Sequence, residues 1–124
     1  MVDDNADQPL APQLGVQTHT PEPGTRVVAL RGELDVATVG RLRDAVGPAI
    51  EDPEVRRVVI DLVEVTFIDS TGLMTLLNAL RRLVRRDARL VLACSNPTVL
   101  RLFEATRTDA TFEIVPTLEQ ALVA

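Results

Sequence analysis

Apolar residues change their spacing several times along this chain, and each change predicts a new element. Residues 1–12 hold three Asp, two Pro and no apolar period, the composition of a flexible acidic tail that leaves residues 13–124 as the folded domain. From Leu14 to Thr20 polar and apolar positions alternate loosely. Pro21, Pro23 and Gly24 then make a turn, and Thr25 to Gly32 resumes a β-branched run, so a β-hairpin is predicted. Val39, Leu42, Val46, Ala49 and Ile50 recur at helical spacing, with Asp35 placed to cap the first turn. Gly47-Pro48 interrupts that pattern, and an interior proline costs about 3 kcal/mol, so the helix is expected to kink or to end near Val46.

Arg56 to Leu62, RRVVIDL, reads as an apolar run flanked by charge, of the kind buried in parallel sheets. The strongest helical pattern follows from Ser70 to Arg86, where Leu73, Leu76, Leu77, Leu80, Leu83 and Val84 form one stripe opposite Arg81, Arg82, Arg85 and Arg86. Arg89 to Cys94 reads as another buried strand. Asn96-Pro97 is an N-cap followed by a first-turn proline, leading into Val99, Leu100, Leu102 and Phe103 on one helix face. Phe112 to Val115 is a last short strand, and Thr117 with Gln120 opens a C-terminal helix. Two leading strands and alternating helices and strands imply an α/β fold: one four- or five-stranded mixed sheet, its helices packed mainly on one face.

Composition narrows the function. A chain of 124 residues suits one domain that buries roughly two-thirds of its unfolded surface. No apolar run reaches membrane length, and the acidic N-terminus is unlike a secretory signal, so a cytoplasmic protein without membrane partners is expected. All 13 basic residues are Arg, yet 18 acids set the formal net charge at -5, which opposes phosphate backbones and argues against nucleic acid. Three Phe, with no Trp or Tyr, offer few stacking platforms. Cys94 and His19 are the lone members of their kinds, too few for a structural metal, and Cys94 reads as a small buried hydrophobe. No cofactor is implied.

One segment carries chemistry. Val63 to Leu73, VEVTFIDSTGL, ends a strand-like run in Asp69-Ser70-Thr71-Gly72 just before the strongest helix. A phosphate on Ser70 would sit where backbone donors are free and the helix dipole is positive, with Gly72 giving clearance. The plainer alternative is that Asp69, Ser70 and Thr71 only cap the helix. A serine hydrolase is opposed by the missing G-x-S-x-G and by a histidine that precedes the serine. A phosphate-loop nucleotidase needs a lysine the chain lacks.

With Gly32-Glu33-Leu34-Asp35, VVIDLVEVTFIDSTGL at 58–73 and Leu90 to Cys94 followed by Asn96, residues 14–124 resemble the STAS-domain anti-sigma factor antagonists. The resemblance implies that Ser70 is phosphorylated by an anti-sigma factor that is itself a serine kinase, with Thr71 as the fallback. It also implies that the unphosphorylated chain binds that factor and frees sigma, and that a PP2C-like phosphatase resets the phosphorylated one. The chain is then a substrate of the two enzymes and not itself an enzyme. Asp35, Asp69, Ser70, Thr71, Gly72 and Asn96 become the partner surface, although Asp35 and Asn96 serve equally as helix caps. A non-switching STAS subunit of a lipid-transport or stress-signalling assembly is the competing function, disfavoured by the Ser70-Thr71 hydroxyl pair and the expected lack of a fused domain. The chain departs from the family at Gly47-Pro48 and at Ala105 to Ala110, where a glycine turn is usual. Arg81, Arg82, Arg85, Arg86 and Arg89 are assigned only a solvated face.

Overall fold

The alternating and β-branched runs at the start of the domain become two strands, β1 (Leu14–Glu22) and β2 (Thr25–Leu34), in a computed structural model that describes residues 13–124. The expected acidic tail, residues 1–12, lies outside the described residues. β1 pairs antiparallel with β2 from Leu14↔Gly32 to Glu22↔Thr25 around a turn at Pro23-Gly24, as the hairpin pattern predicts. Helix α1 (Val39–Glu51) follows, then β3 (Arg57–Ile68), α2 (Ser70–Arg85), β4 (Arg89–Ala93), α3 (Pro97–Ala105), β5 (Glu113–Val115) and α4 (Leu118–Val123).

The sheet has five strands in the order β1-β2-β3-β4-β5, and β2 to β5 run parallel. Each helical crossover steps one strand in the same direction, and crossovers of one hand then place α1, α2 and α3 on the same face. Val39, Leu42, Val46, Leu73, Leu76, Leu83, Val99 and Phe103 from these helices share one core with Val28, Leu30, Val58, Ile60 and Leu92. On the opposite face α4 covers a smaller cluster of Val27, Val59, Val91 and Ala93 through Ala121. The expected architecture holds: a mixed five-stranded sheet with helices mainly on one side.

Several local expectations change. Helix α1 does not end near Val46 but runs through Pro48 to Glu51. Ala49 and Ile50, beyond the proline, are fully enclosed while Pro48 itself faces outward, and burying Ile50 alone recovers about 1.5–3 kcal/mol of the cost near 3 kcal/mol. Strand β3 is longer than its apolar run because two register shifts against β2, at Ala29/Arg31 and Gly32/Glu33, keep it paired through Ile68. In α2 the enclosed line is Gly72, Leu73, Thr75, Leu76, Ala79 and Leu83; Leu77 and Leu80 are half-buried and Val84 is exposed. Helical rotation carries Val84 past the edge of the apolar stripe.

Arg86 also leaves the solvated face. Its guanidinium donates to the carbonyls of Ile50 (2.6 Å), Val55 (2.7 Å) and Ala49 (3.3 Å), closing the orphan end of α1. The turn after α3 that lacks glycine uses Arg107 at φ 62°, a left-handed residue that non-glycine side chains adopt at some strain, followed by a single 3-10 turn at Thr108–Ala110.

Candidate functional site

Because β2, β3 and β4 are parallel, their C-terminal ends and the loops that follow lie at one end of the sheet, where ligand and partner sites of open α/β sheets gather. Those loops hold Asp35, Asp69-Ser70 and Asn96.

Asp69 is the N-cap of α2 and is bonded on both oxygens. Oδ1 accepts the Gly72 N–H (2.9 Å) and Oδ2 accepts the Val36 N–H (3.1 Å) from the loop after β2. Its own N–H donates to the Leu34 carbonyl at 3.1 Å. One carboxylate therefore ties the start of α2 to the preceding loop. Asp35 organises that loop from within: Oδ1 accepts the N–H groups of Ala37 (2.9 Å) and Thr38 (3.1 Å), while buried Thr38 donates its hydroxyl to the Glu33 carbonyl (2.8 Å). The N-cap of α1 is Thr38, so Asp35 holds the turn before the helix and does not cap the helix itself, as its position had suggested.

Gly72 plays a different part from the one expected. A Cβ there would lie 2.8 Å from the Leu34 carbonyl oxygen and 2.9 Å from Leu34 Cγ. The missing side chain lets α2 seat against the end of β2, on the inner side of the helix, and gives no outward room for a phosphate.

Ser70 is the first residue of α2 and is exposed, and among the described residues its hydroxyl has no hydrogen-bond partner. Thr71 is half-buried, and its carbonyl takes the Thr75 hydroxyl at 2.9 Å. Three large apolar side chains on the segments that meet at this end are exposed: Val36 at 73%, Met74 at 53% and Phe67 at 46%. Val36 and Phe67 lie within two residues of the C-terminal ends of β2 and β3, and Met74 lies one turn into α2 from Ser70, a placement that single-position periodicity does not reveal. Asn96 caps α3 through Oδ1 to the Thr98 N–H (2.8 Å) and reaches β3 through Nδ2 to the Val65 carbonyl (3.4 Å). It joins the same end of the sheet but is bonded to neither Asp69 nor Ser70.

The hydrolase alternative fails on distance. His19 pairs with Val27, which pairs with Val59, nine residues up β3 from Ile68, about 25–30 Å at the rise of a strand. Cys94 is buried as expected; burial pushes its thiol up, against a weaker opposing pull from the Asn96 backbone. No group of three His, Cys, Asp or Glu among the described residues is placed to hold a metal ion. No helix there is long and apolar enough to cross a membrane.

Fold and site together define a class: a small α/β domain whose sheet end presents a capped, hydroxyl-bearing helix start with exposed apolar side chains nearby. The chain belongs to the STAS domain family, whose pattern matches residues 18–121. It is 35% identical over 79 residues to the anti-sigma-B factor antagonist of Staphylococcus aureus, covering 64% of this chain and 72% of that one. Among solved structures, an anti-sigma factor antagonist from Mycobacterium paratuberculosis superposes with a TM-score of 0.81 at 30% identity, over 90% of this chain and 92% of that one. The Bacillus cell fate determinant SpoIIAA in its phosphorylated form gives a TM-score of 0.70 at 26% identity, over 88% and 97%.

Proposed function

We propose that this chain is an anti-sigma factor antagonist switched by phosphorylation of Ser70. Unphosphorylated, it binds an anti-sigma factor in the cytoplasm and frees sigma; that factor, a serine kinase, phosphorylates Ser70 and the complex separates; a PP2C-like phosphatase restores the hydroxyl. The observation that carries this reading is the Ser70 hydroxyl, exposed and without a partner among the described residues, at a helix start that Asp69 fixes from both sides. The names of the relatives support the antagonist role, and the phosphorylated form of SpoIIAA supports the switch.

The physics agrees in sign. Phosphorylation adds about 1.5–2 negative charges at neutral pH, and the free N–H groups of the first turn tolerate them without unfolding α2. The same charges, beside the Asp69 carboxylate and the exposed apolar cluster, oppose docking of a partner shaped to the neutral hydroxyl. Thr71 is half-buried, which makes it the second choice for a kinase.

Mass spectrometry after incubation with ATP, Mg²⁺ and the cognate anti-sigma kinase tests this directly. Wild type gains one phosphoryl group. Ser70→Ala gains none yet still binds the kinase, and Ser70→Asp binds more weakly because a second carboxylate stands beside Asp69. A Ser70→Ala chain phosphorylated at the wild-type rate, or a Ser70→Asp chain that binds as tightly as wild type, would reject the assignment.

A further inference from the structure

Helices α1 and α2 leave a groove of about 320 Å³ between them, lined by Arg43, Thr71, Met74, Thr75, Asn78 and Arg81. It begins at Thr71, one residue beyond Ser70, and runs along the outer side of both helices. No acidic residue lines it, in a chain whose net charge is -5.

Two neighbouring arginines, Arg82 and Arg86, are occupied by the fold. Arg82 pairs with Glu51 at 3.4 Å, and Arg86 donates to three carbonyls at the end of α1. Arg43 and Arg81 are both exposed, and among the described residues neither makes a hydrogen bond or an ion pair. Two guanidinium groups thus face one groove together with the Asn78 amide, while Met74 offers an apolar contact at 53% exposure. Guanidinium groups match carboxylates as planar forks, and two of them at one groove favour a segment that carries more than one acid.

We propose that this groove receives an acidic segment of the anti-sigma partner, and that phosphorylation of Ser70 weakens its hold. The proposal rests on the antagonist reading given above and adds to it where the partner's charge is read. A phosphoserine at position 70 brings about 1.5–2 negative charges to the Thr71 end of the groove. Arg81 lies eleven residues further along α2, about 16 Å at the helical rise, so the charges offset both arginines at low ionic strength, where the Debye length is about 30 Å at 0.01 M. The switch then acts by cancelling an attraction as well as by crowding the docking surface.

The test uses the full chain, labelled with ¹⁵N, and an acetylated hexaglutamate peptide at low ionic strength, with hexaglutamine as the uncharged comparison. Hexaglutamate is expected to give saturable shifts at Thr71, Met74, Asn78 and the Nε groups of Arg43 and Arg81, and hexaglutamine none. The double variant Arg43→Gln/Arg81→Gln and the single variant Ser70→Asp should each bind at least about fivefold more weakly, the scale of one or two exposed ion pairs. Arg85→Gln/Arg101→Gln, which removes the same charge from exposed positions outside the groove, should bind like wild type; thermal melts confirm that each variant is folded. Absence of saturable binding, equal loss in both double variants, shifts centred on other arginines, tighter binding of ATP than of the peptide, or full affinity in Ser70→Asp would each overturn the proposal. The assay needs neither kinase nor sigma, so its failure is separable from failure of Ser70 phosphorylation.

Discussion

Helices α2 and α3 both start at the C-terminal end of a parallel strand, and both carry an acceptor just outside the first turn: Asp69 takes the Gly72 N–H and Asn96 takes the Thr98 N–H. From there they diverge. The third helical position is Gly72 in α2 and Val99 in α3, and Val99 is fully buried where α2 has no space for a Cβ. The second oxygen of Asp69 binds the loop after β2, whereas the amide nitrogen of Asn96 reaches sideways to Val65. Exposed Val36, Phe67 and Met74 lie on the segments that meet at the start of α2, while no large apolar side chain in residues 94–100 is exposed. A capped helix start is common equipment, and close seating on the neighbouring strand, with apolar exposure nearby, is what sets the start of α2 apart from that of α3.

The largest expected effects treat the two helices alike. Leu76→Ala in α2 and Phe103→Ala in α3 both empty fully enclosed positions and should cost about 2–5 kcal/mol in urea unfolding. Leu77→Ala should cost clearly less than Leu76→Ala, since Leu77 is half-buried. A loss at only one of Leu76 and Phe103 would place the difference between the helices in their cores instead of at their starts.

Gly72→Ala is the next largest and the most discriminating, because its sign is at issue. A glycine inside a helix ordinarily gains about 0.5–1 kcal/mol on becoming alanine, but here the new methyl meets the Leu34 backbone at 2.8 Å, and overpacking costs about 1–3 kcal/mol. A stabilised Gly72→Ala chain would remove the distinction between α2 and α3. Asp69→Ala comes third: with two N–H groups losing their acceptor, it should cost about 1–2 kcal/mol, and Asn96→Ala about 1 kcal/mol or less. Equal losses would mean that the bond from Asp69 to Val36 contributes nothing.

The smallest effect concerns the loop before α3, where burial moves the Cys94 thiol from its ordinary range. Burial raises its pKa, so at neutral pH the thiol holds its proton more firmly than a free cysteine and thiolate forms only as pH rises further. A disulfide reagent should label the native chain far more slowly than the unfolded one. Rapid labelling of the folded chain at neutral pH would make α3, not α2, the chemically available helix start.

Hydrophobic spacing was enough to place the five strands and four helices of the described residues in order, because burial on one face imposes a period of two or of 3.6 on the residues that make it. The Asp69-Ser70-Thr71-Gly72 turn was legible for a similar reason: capping is local, and the residues that satisfy the first N–H groups lie next to them in the chain. What the pattern alone could not yield depends on partners far along the chain. Helix α1 continues past Pro48 because Ala49 and Ile50 find a core there, and Arg86 abandons solvent because the carbonyls at the end of α1 arrive beside it. Gly72 serves contact with Leu34, a residue 38 positions away by number, and Val36 meets Asp69 only because β2 and β3 lie side by side. Which residues share a groove or crowd a helix start is decided by strand order and helix seating, and those follow from how the whole set of apolar faces closes on itself, not from any one segment's preference.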